Sequence, residues 1–78
     1  MKLWLIWQDG VYGYDTYDSA VVAAETEQGA KETHPSDPLG WRSPHTWATS
    51  PDNVTARLLG EAVDGQVPGV ICASFNAG

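Results

Sequence analysis

The chain has a single cysteine, Cys72, in 78 residues and therefore cannot form an internal disulfide. A domain of this size buries only about 60% of the surface that its unfolded chain exposes. Its stability must then come from apolar packing. Four tryptophans and three tyrosines supply apolar surface, since each aromatic ring can bury about 150–250 Å². This composition predicts one folded domain over residues 1–78.

Two apolar runs in the first third of the chain predict a pair of strands. Residues 2–8 would place leucine and tryptophan on one face of a strand, and tryptophan and isoleucine on the other. That pattern fits a strand covered on both sides, or one with an aromatic ring left for a partner. Residues 17–24 are small and β-branched, and Asp9-Gly10 starts a turn between the runs. We expect an antiparallel pair joined by a long hairpin loop.

A short helix is predicted after the second strand. Thr26 is a suitable N-cap, and Glu27 falls in the first turn, where the helix dipole favours an anion. We expect the helix to run from about Glu27 to Thr33 and to stop before Pro35. A loop rich in proline, serine and threonine follows over residues 35–52, where Trp41 and Trp47 are either lids over the core or anchors for a partner.

The last third of the chain predicts two more strands. Residues 54–63 have a strand-like pattern and residues 70–75 form an apolar run, and Gly65 and Pro68-Gly69 separate them, a spacing that favours a hairpin. The predicted order is β-β-α-loop-β-β. The fold class expected from it is α+β, a small antiparallel sheet of about four strands with one short helix.

The chain is strongly acidic, with a formal net charge of −6. A nucleic-acid binder needs clustered lysine and arginine to displace the counterions of the phosphates. Direct binding to nucleic acid or to an anionic membrane is therefore disfavoured. The acidity fits either simple solubility, since small domains often carry a net charge of about 2–8, or a basic partner. The basic residues are scattered along the chain at Lys2, Lys31, Arg42 and Arg57.

Neither a catalytic thiol nor a metal site is predicted. Cys72 lies in an apolar run and is expected to be buried, whereas a catalytic thiolate must be exposed beside a base. His34 and His45 are eleven positions apart with prolines near both, a spacing that does not form a tetrahedral zinc site. We expect no metal and no cofactor.

Three aspartates near the first turn are the remaining catalytic candidates. Carboxylate pairs can act as general acid and base, but aspartate is equally typical of a polar loop, where it supplies turn hydrogen bonds. No glycine-rich phosphate loop accompanies them. We therefore expect a binding protein and not an enzyme. The three residues are Asp9, Asp15 and Asp18.

Three tyrosines are interleaved with Asp15 and Asp18 in residues 12–18, and this segment is the best candidate for a binding surface. Tyrosine provides a large contact area at low entropic cost and is enriched in interfaces, although each ring could instead pack across a strand. Carboxylates here and shortly after could imitate a row of phosphates. The predicted partner-binding residues are Tyr14, Asp15, Tyr17, Asp18, Glu25 and Glu27.

Parts of the sequence resemble small phage and prophage proteins of unassigned function. The resemblance lies in residues 13–27 (GYDTYDSAVVAAETE), 34–36 (HPS) and 69–78 (GVICASFNAG). In size and acidity the chain is also similar to anti-CRISPR proteins, some of which mimic nucleic acid on type I surveillance complexes. The resemblance implies a phage-encoded inhibitor of host defence that binds such a complex and blocks its target DNA.

Two other functions remain open. A sponge for a nucleotide signal could stack a base on Tyr12, Trp41 or Trp47 and hold phosphate with Arg42 or Arg57. Alternatively, the chain could be a phage structural or accessory protein that forms homo-oligomers through its apolar strands. The five-residue run 3–7 is too short for a signal peptide or a membrane span, so we expect the protein in the bacterial cytoplasm.

Overall fold

A four-stranded antiparallel sheet is the framework of the molecule. The structure, a computed structural model, describes residues 1–8, 16–36, 46–48 and 50–76. The spatial order of the strands is β3-β1-β2-β4, and a short helix, α1, and one 3₁₀ helix accompany them. The elements are β1 Lys2–Gln8, β2 Thr16–Ala24, α1 Glu27–Lys31, the 3₁₀ helix Pro51–Asn53, β3 Val54–Glu61 and β4 Gly69–Asn76.

The predicted sheet of about four strands with one short helix is confirmed, although the described residues are mostly sheet and the helical part is small. The predicted hairpin of the last two strands is wrong. β1 pairs with both β2 and β3, and β4 pairs with β2, so β3 and β4 lie at opposite edges. Residues 62–68 cross three strand gaps of about 4.8 Å each, a span of about 14 Å that seven residues easily cover.

The core lies on one face of the sheet. Alternate residues of β1 are buried, and Trp4 and Ile6 face Val22 and Ala20 of β2. The indole Nε1 of Trp4 donates a buried hydrogen bond of 3.1 Å to the carbonyl of Ala24. Helix α1 covers this face and has contacts with β1, β2 and β3. The buried apolar residues that form one cluster are Trp4, Ile6, Ala20, Val22, Ala24, Ala30, Trp47, Ala48 and Val54.

Helix α1 begins where the sequence predicts and ends two residues earlier than expected. Thr26 is extended, and its Oγ1 accepts a hydrogen bond of 3.0 Å from the backbone N–H of Gly29. Ala30 is fully buried against the sheet. The helix stops at Lys31, and the Thr33 hydroxyl donates a hydrogen bond of 2.9 Å to the carbonyl of Gly29. A helix this short depends on its cap and on burial of Ala30, since isolated helices under about 12 residues are marginal in water.

Trp47 is fully buried, which supports its predicted role as a lid over the core. Its ring lies 6.3 Å from the ring of His34, which is also buried. The carbonyl of the neighbouring Thr46 accepts a hydrogen bond of 2.7 Å from the backbone N–H of Tyr17, so this segment is bound to the start of β2. Trp41 falls outside the described residues. Across the described ranges, neither helix is long and apolar enough to cross a membrane.

Candidate binding surface

The four predicted partner-binding residues that the structure describes lie at the two ends of β2. Tyr14 and Asp15 lie outside the described residues. Asp18 is exposed near the start of β2, and Tyr17 beside it is half-buried. The two glutamates, Glu25 and Glu27, are exposed beyond the other end of the strand.

Tyr17 is partly a framework residue. Its ring packs against the core cluster and meets the ring of Phe75 edge to face, with 4.7 Å between the ring centroids. Its backbone N–H is bound to the Thr46 carbonyl. Only part of the tyrosine side chain is thus available to a partner, whereas Phe75 remains 44% exposed.

Asp18 projects from a bulge in β2. Tyr17 faces Phe75 and Ser19 faces Ser74, so Asp18 is the extra residue with no counterpart on β4. A bulge redirects a side chain and breaks the regular pairing. The hydroxyl of Ser74 lies 3.5 Å from Asp18 Oδ2, at the limit of a hydrogen bond. The carboxylate is therefore exposed and only weakly held.

The glutamates form a separate acidic end. Asp18 and Glu25 are seven positions apart on an extended chain, which corresponds to about 23 Å at about 3.3 Å per residue. The Met1 ammonium lies 3.9 Å from Glu25 Oε1, an exposed ion pair that contributes little to stability. Glu27 is the first residue of α1. The structure therefore does not bring Asp18 together with the two glutamates.

The sheet face opposite α1 carries apolar side chains that the sequence did not assign to a site. The odd-numbered residues of β1, Leu3, Leu5 and Trp7, are only half-buried there. A shallow depression of about 180 Å³ lies on this side between the central strands and β4. Its lining consists of Leu5, Ser19, Ala20, Val21, Cys72, Ala73 and Ser74.

Cys72 is exposed, so its predicted burial is wrong. The physical reason is strand order. Cys72 faces Val21 of β2, and in the described part of the chain β4 has no strand on its other side. The apolar run around Cys72 resembles an interior strand in sequence but forms an edge in the fold.

Asp18, the depression and the exposed side of β4 adjoin one another, and we call them together the β2–β4 surface. Ser74 connects them, because it contacts Asp18 and also lines the depression. Its residues offer one carboxylate, two hydroxyls, a thiol and apolar groups. Such a set suits contact with another molecule. Within the described ranges, no group of three or more His, Cys, Asp or Glu side chains could hold a metal ion.

Comparisons with known proteins give no relative. No family model, no curated protein and no solved structure matches the chain.

Proposed function

We propose that this protein is a phage-encoded inhibitor of a host defence system, which binds a basic, nucleic-acid-binding surface of its target. The observation that carries the proposal is the exposed Asp18, which projects from the bulge in β2 and contacts Ser74 at the rim of the apolar depression. In a chain of net charge −6, this arrangement combines an exposed carboxylate with an apolar depression, joined by Ser74, which contacts Asp18 and lines the depression.

Arginine is the side chain that best fits this combination. Its planar guanidinium can donate two parallel hydrogen bonds to a carboxylate, and its aliphatic stem can pack on apolar surface. Asp18 supplies the carboxylate, and the depression that Ser74 joins to it supplies the apolar surface. Channels that bind nucleic acid are rich in arginine and lysine, which favours such a channel as the partner.

The separation of the acidic ends favours a large partner over a small ligand. Asp18 and Glu25 are about 23 Å apart along β2, close to the length of about seven base pairs at about 3.4 Å each. A basic channel that holds a duplex could contact both ends at once. The specific target that we propose is a type I CRISPR surveillance complex, whose target DNA would be blocked.

The exposed edge strand favours a second candidate function. Ile71 and Phe75 are exposed on β4, as expected if the protein forms homo-oligomers as a phage structural or accessory protein. The nucleotide sponge has less support, because the depression of about 180 Å³ is smaller than the about 300–1,000 Å³ typical of small-molecule sites.

The test is a competition experiment with a purified type I surveillance complex. Binding of labelled target DNA to the complex is followed by fluorescence anisotropy while this protein is added at about 50 mM and about 300 mM salt. We expect displacement of DNA at low salt and much weaker displacement at high salt, because opposite charges attract less when screened. Unchanged DNA binding at both salt concentrations, with the protein in large excess, would contradict this target.

A further inference from the structure

The two edges of the sheet differ in the features that prevent strand pairing. An exposed edge presents unpaired N–H and C=O groups, and proteins usually protect it with charges, prolines or bulges. Both edge strands have an irregular register, β3 beside β1 and β4 beside β2, but β3 also carries two charged residues, Arg57 and Glu61. The edge strand β4 has eight residues, Gly69–Asn76, with no charged residue and no proline. Of the two edges, β4 is therefore the one suited to pairing.

Exposure points to the same strand. All five residues from Ile71 to Phe75 are exposed, and Ile71 and Phe75 retain 45% and 44% of their surfaces. In the described part of the chain, only β2 pairs with β4. Among the described residues, the outer backbone groups of β4 therefore have no strand beside them.

We propose that β4 pairs in antiparallel fashion with β4 of a second copy of this chain, so that two four-stranded sheets join into one of eight strands. A two-fold axis at Ala73 gives the most complementary register. Ile71, which is the extra residue of the irregularity in β4, then lies opposite Phe75 of the second copy, and the same pair forms again across the axis. Aromatic and β-branched residues make favourable cross-strand pairs, and the small Ala73 meets its own copy at the centre.

The occupant is a second copy because β4 is complementary to itself and carries no charge. Each chain has a net charge of −6, so two copies repel unless the contact is uncharged. β4 meets this condition, whereas β3 does not. Two-fold pairing of identical patches is also the commonest form of oligomer. A single strand pair is a small interface, so we expect a dissociation constant in the range of about 1–100 μM.

This dimer does not depend on the proposed inhibitor function, and salt separates the two. Binding of an acidic protein to a basic partner weakens as salt rises, whereas association of two acidic copies through an uncharged strand strengthens. The dimer is measured on the purified protein alone. Its failure therefore leaves the inhibitor function untouched, and the reverse also holds.

The first test is sedimentation equilibrium of the full chain between about 2 and 500 μM, with Ile71→Lys as the variant. Leu59→Lys is the matched control, because Leu59 is 51% exposed on β3, the other edge. We expect Ile71→Lys to raise the dissociation constant at least about tenfold, since each dimer loses the Ile–Phe pair twice. Leu59→Lys should leave it within about twofold of the parent value.

A second test uses the thiol of Cys72 and does not depend on the Ile71 variant folding. With the axis at Ala73, Cys72 lies opposite Ser74 of the second copy and about 7–8 Å diagonally from the other Cys72. Ser74→Cys should then form disulfide-linked dimers under mild oxidation, whereas the parent Cys72 should not, because a disulfide needs Cα atoms within about 6.8 Å. Thr55→Cys on β3 is the control, for which no such dimer is expected.

Each outcome decides the matter. Concentration-dependent dimers that Ile71→Lys dissociates, together with cross-linking of Ser74→Cys, establish the β4 pairing. A monomer over the whole concentration range overturns it. So does a dimer that is lost in Leu59→Lys and kept in Ile71→Lys, because the contact would then lie on β3. Rapid cross-linking of the parent Cys72 without that of Ser74→Cys would overturn the register about Ala73.

Discussion

The rings of Tyr17 and Phe75 meet edge to face at 4.7 Å, with 64° between their planes, and join the start of β2 to the end of β4. The contact lies directly beside the bulge at Asp18. Because Tyr17 also packs against the core, it connects the exposed edge strand to the buried side of the sheet. The aromatic pair therefore fastens the end of the edge strand β4 to the core.

Removal of the Phe75 ring should destabilise the fold moderately. We expect Phe75→Ala to lower the free energy of unfolding by about 1–2 kcal/mol, since an edge-to-face pair contributes about 0.5–1.5 kcal/mol beyond its buried area. Urea unfolding followed by circular dichroism at low protein concentration measures this without any contribution from self-association. Val63→Ala, at a residue that is 76% exposed, is the control and should change the value by less than about 0.5 kcal/mol. Equal effects of the two variants would mean that the ring pair adds nothing.

Trp47 should be the most sensitive single position in the core. It is fully buried, and its indole Nε1 is a buried donor with no hydrogen-bond partner in the described part of the chain. Trp47→Ala should cost about 3–5 kcal/mol, a large share of the about 5–15 kcal/mol that holds a typical domain together. Trp47→Phe should cost clearly less, because it keeps a ring and removes the unpaired N–H, whose burial costs about 1–3 kcal/mol.

Urea unfolding of both Trp47 variants by circular dichroism gives the comparison. A larger loss of stability for Trp47→Phe than for Trp47→Ala would contradict this account of the site. Val67→Ala, at a residue that is 69% exposed, provides the surface control.

The N-cap of α1 should contribute measurably to the stability of the fold. We expect Thr26→Ala to lower the free energy of unfolding by about 1 kcal/mol, because the N–H of Gly29 loses its acceptor. Thr26→Ser keeps the hydroxyl and should remain within about 0.3 kcal/mol of the parent protein. Thermal unfolding of the three proteins side by side measures the difference. Equal losses for serine and alanine would show that the threonine methyl group matters more than the cap.

Local structure could be predicted from the sequence where the signal is itself local. β1 has the bounds that its apolar run indicates, and the helix begins after Thr26 because capping chemistry involves neighbouring residues. The exposure of Asp18, Glu25 and Glu27 also follows from their charge. These features need no knowledge of distant contacts.

Strand order could not be predicted in the same way. From sequence alone, β3 and β4 are equally suited to pair with each other or with separate neighbours. Pro68-Gly69 predicts a turn, but a turn does not specify the strand with which β4 pairs. The buried positions of β1 and β2 decide the matter, because β1 pairs with β3 and β2 with β4. The exposure of Cys72 is a consequence of that order.

Charge reversal at Asp18 should weaken binding to the proposed basic partner far more than reversal elsewhere. We expect Asp18→Lys to raise the concentration needed to displace DNA from the surveillance complex at least about tenfold. The new lysine would repel the arginine or lysine that the carboxylate contacts in the proposed complex. Asp64→Lys makes the same change in net charge at an exposed residue between β3 and β4, and should raise that concentration no more than about twofold. Anisotropy titrations at low salt compare the two variants, with circular dichroism to show that both are folded. Equal losses would mean that only the total charge matters and that the β2–β4 surface is not the contact.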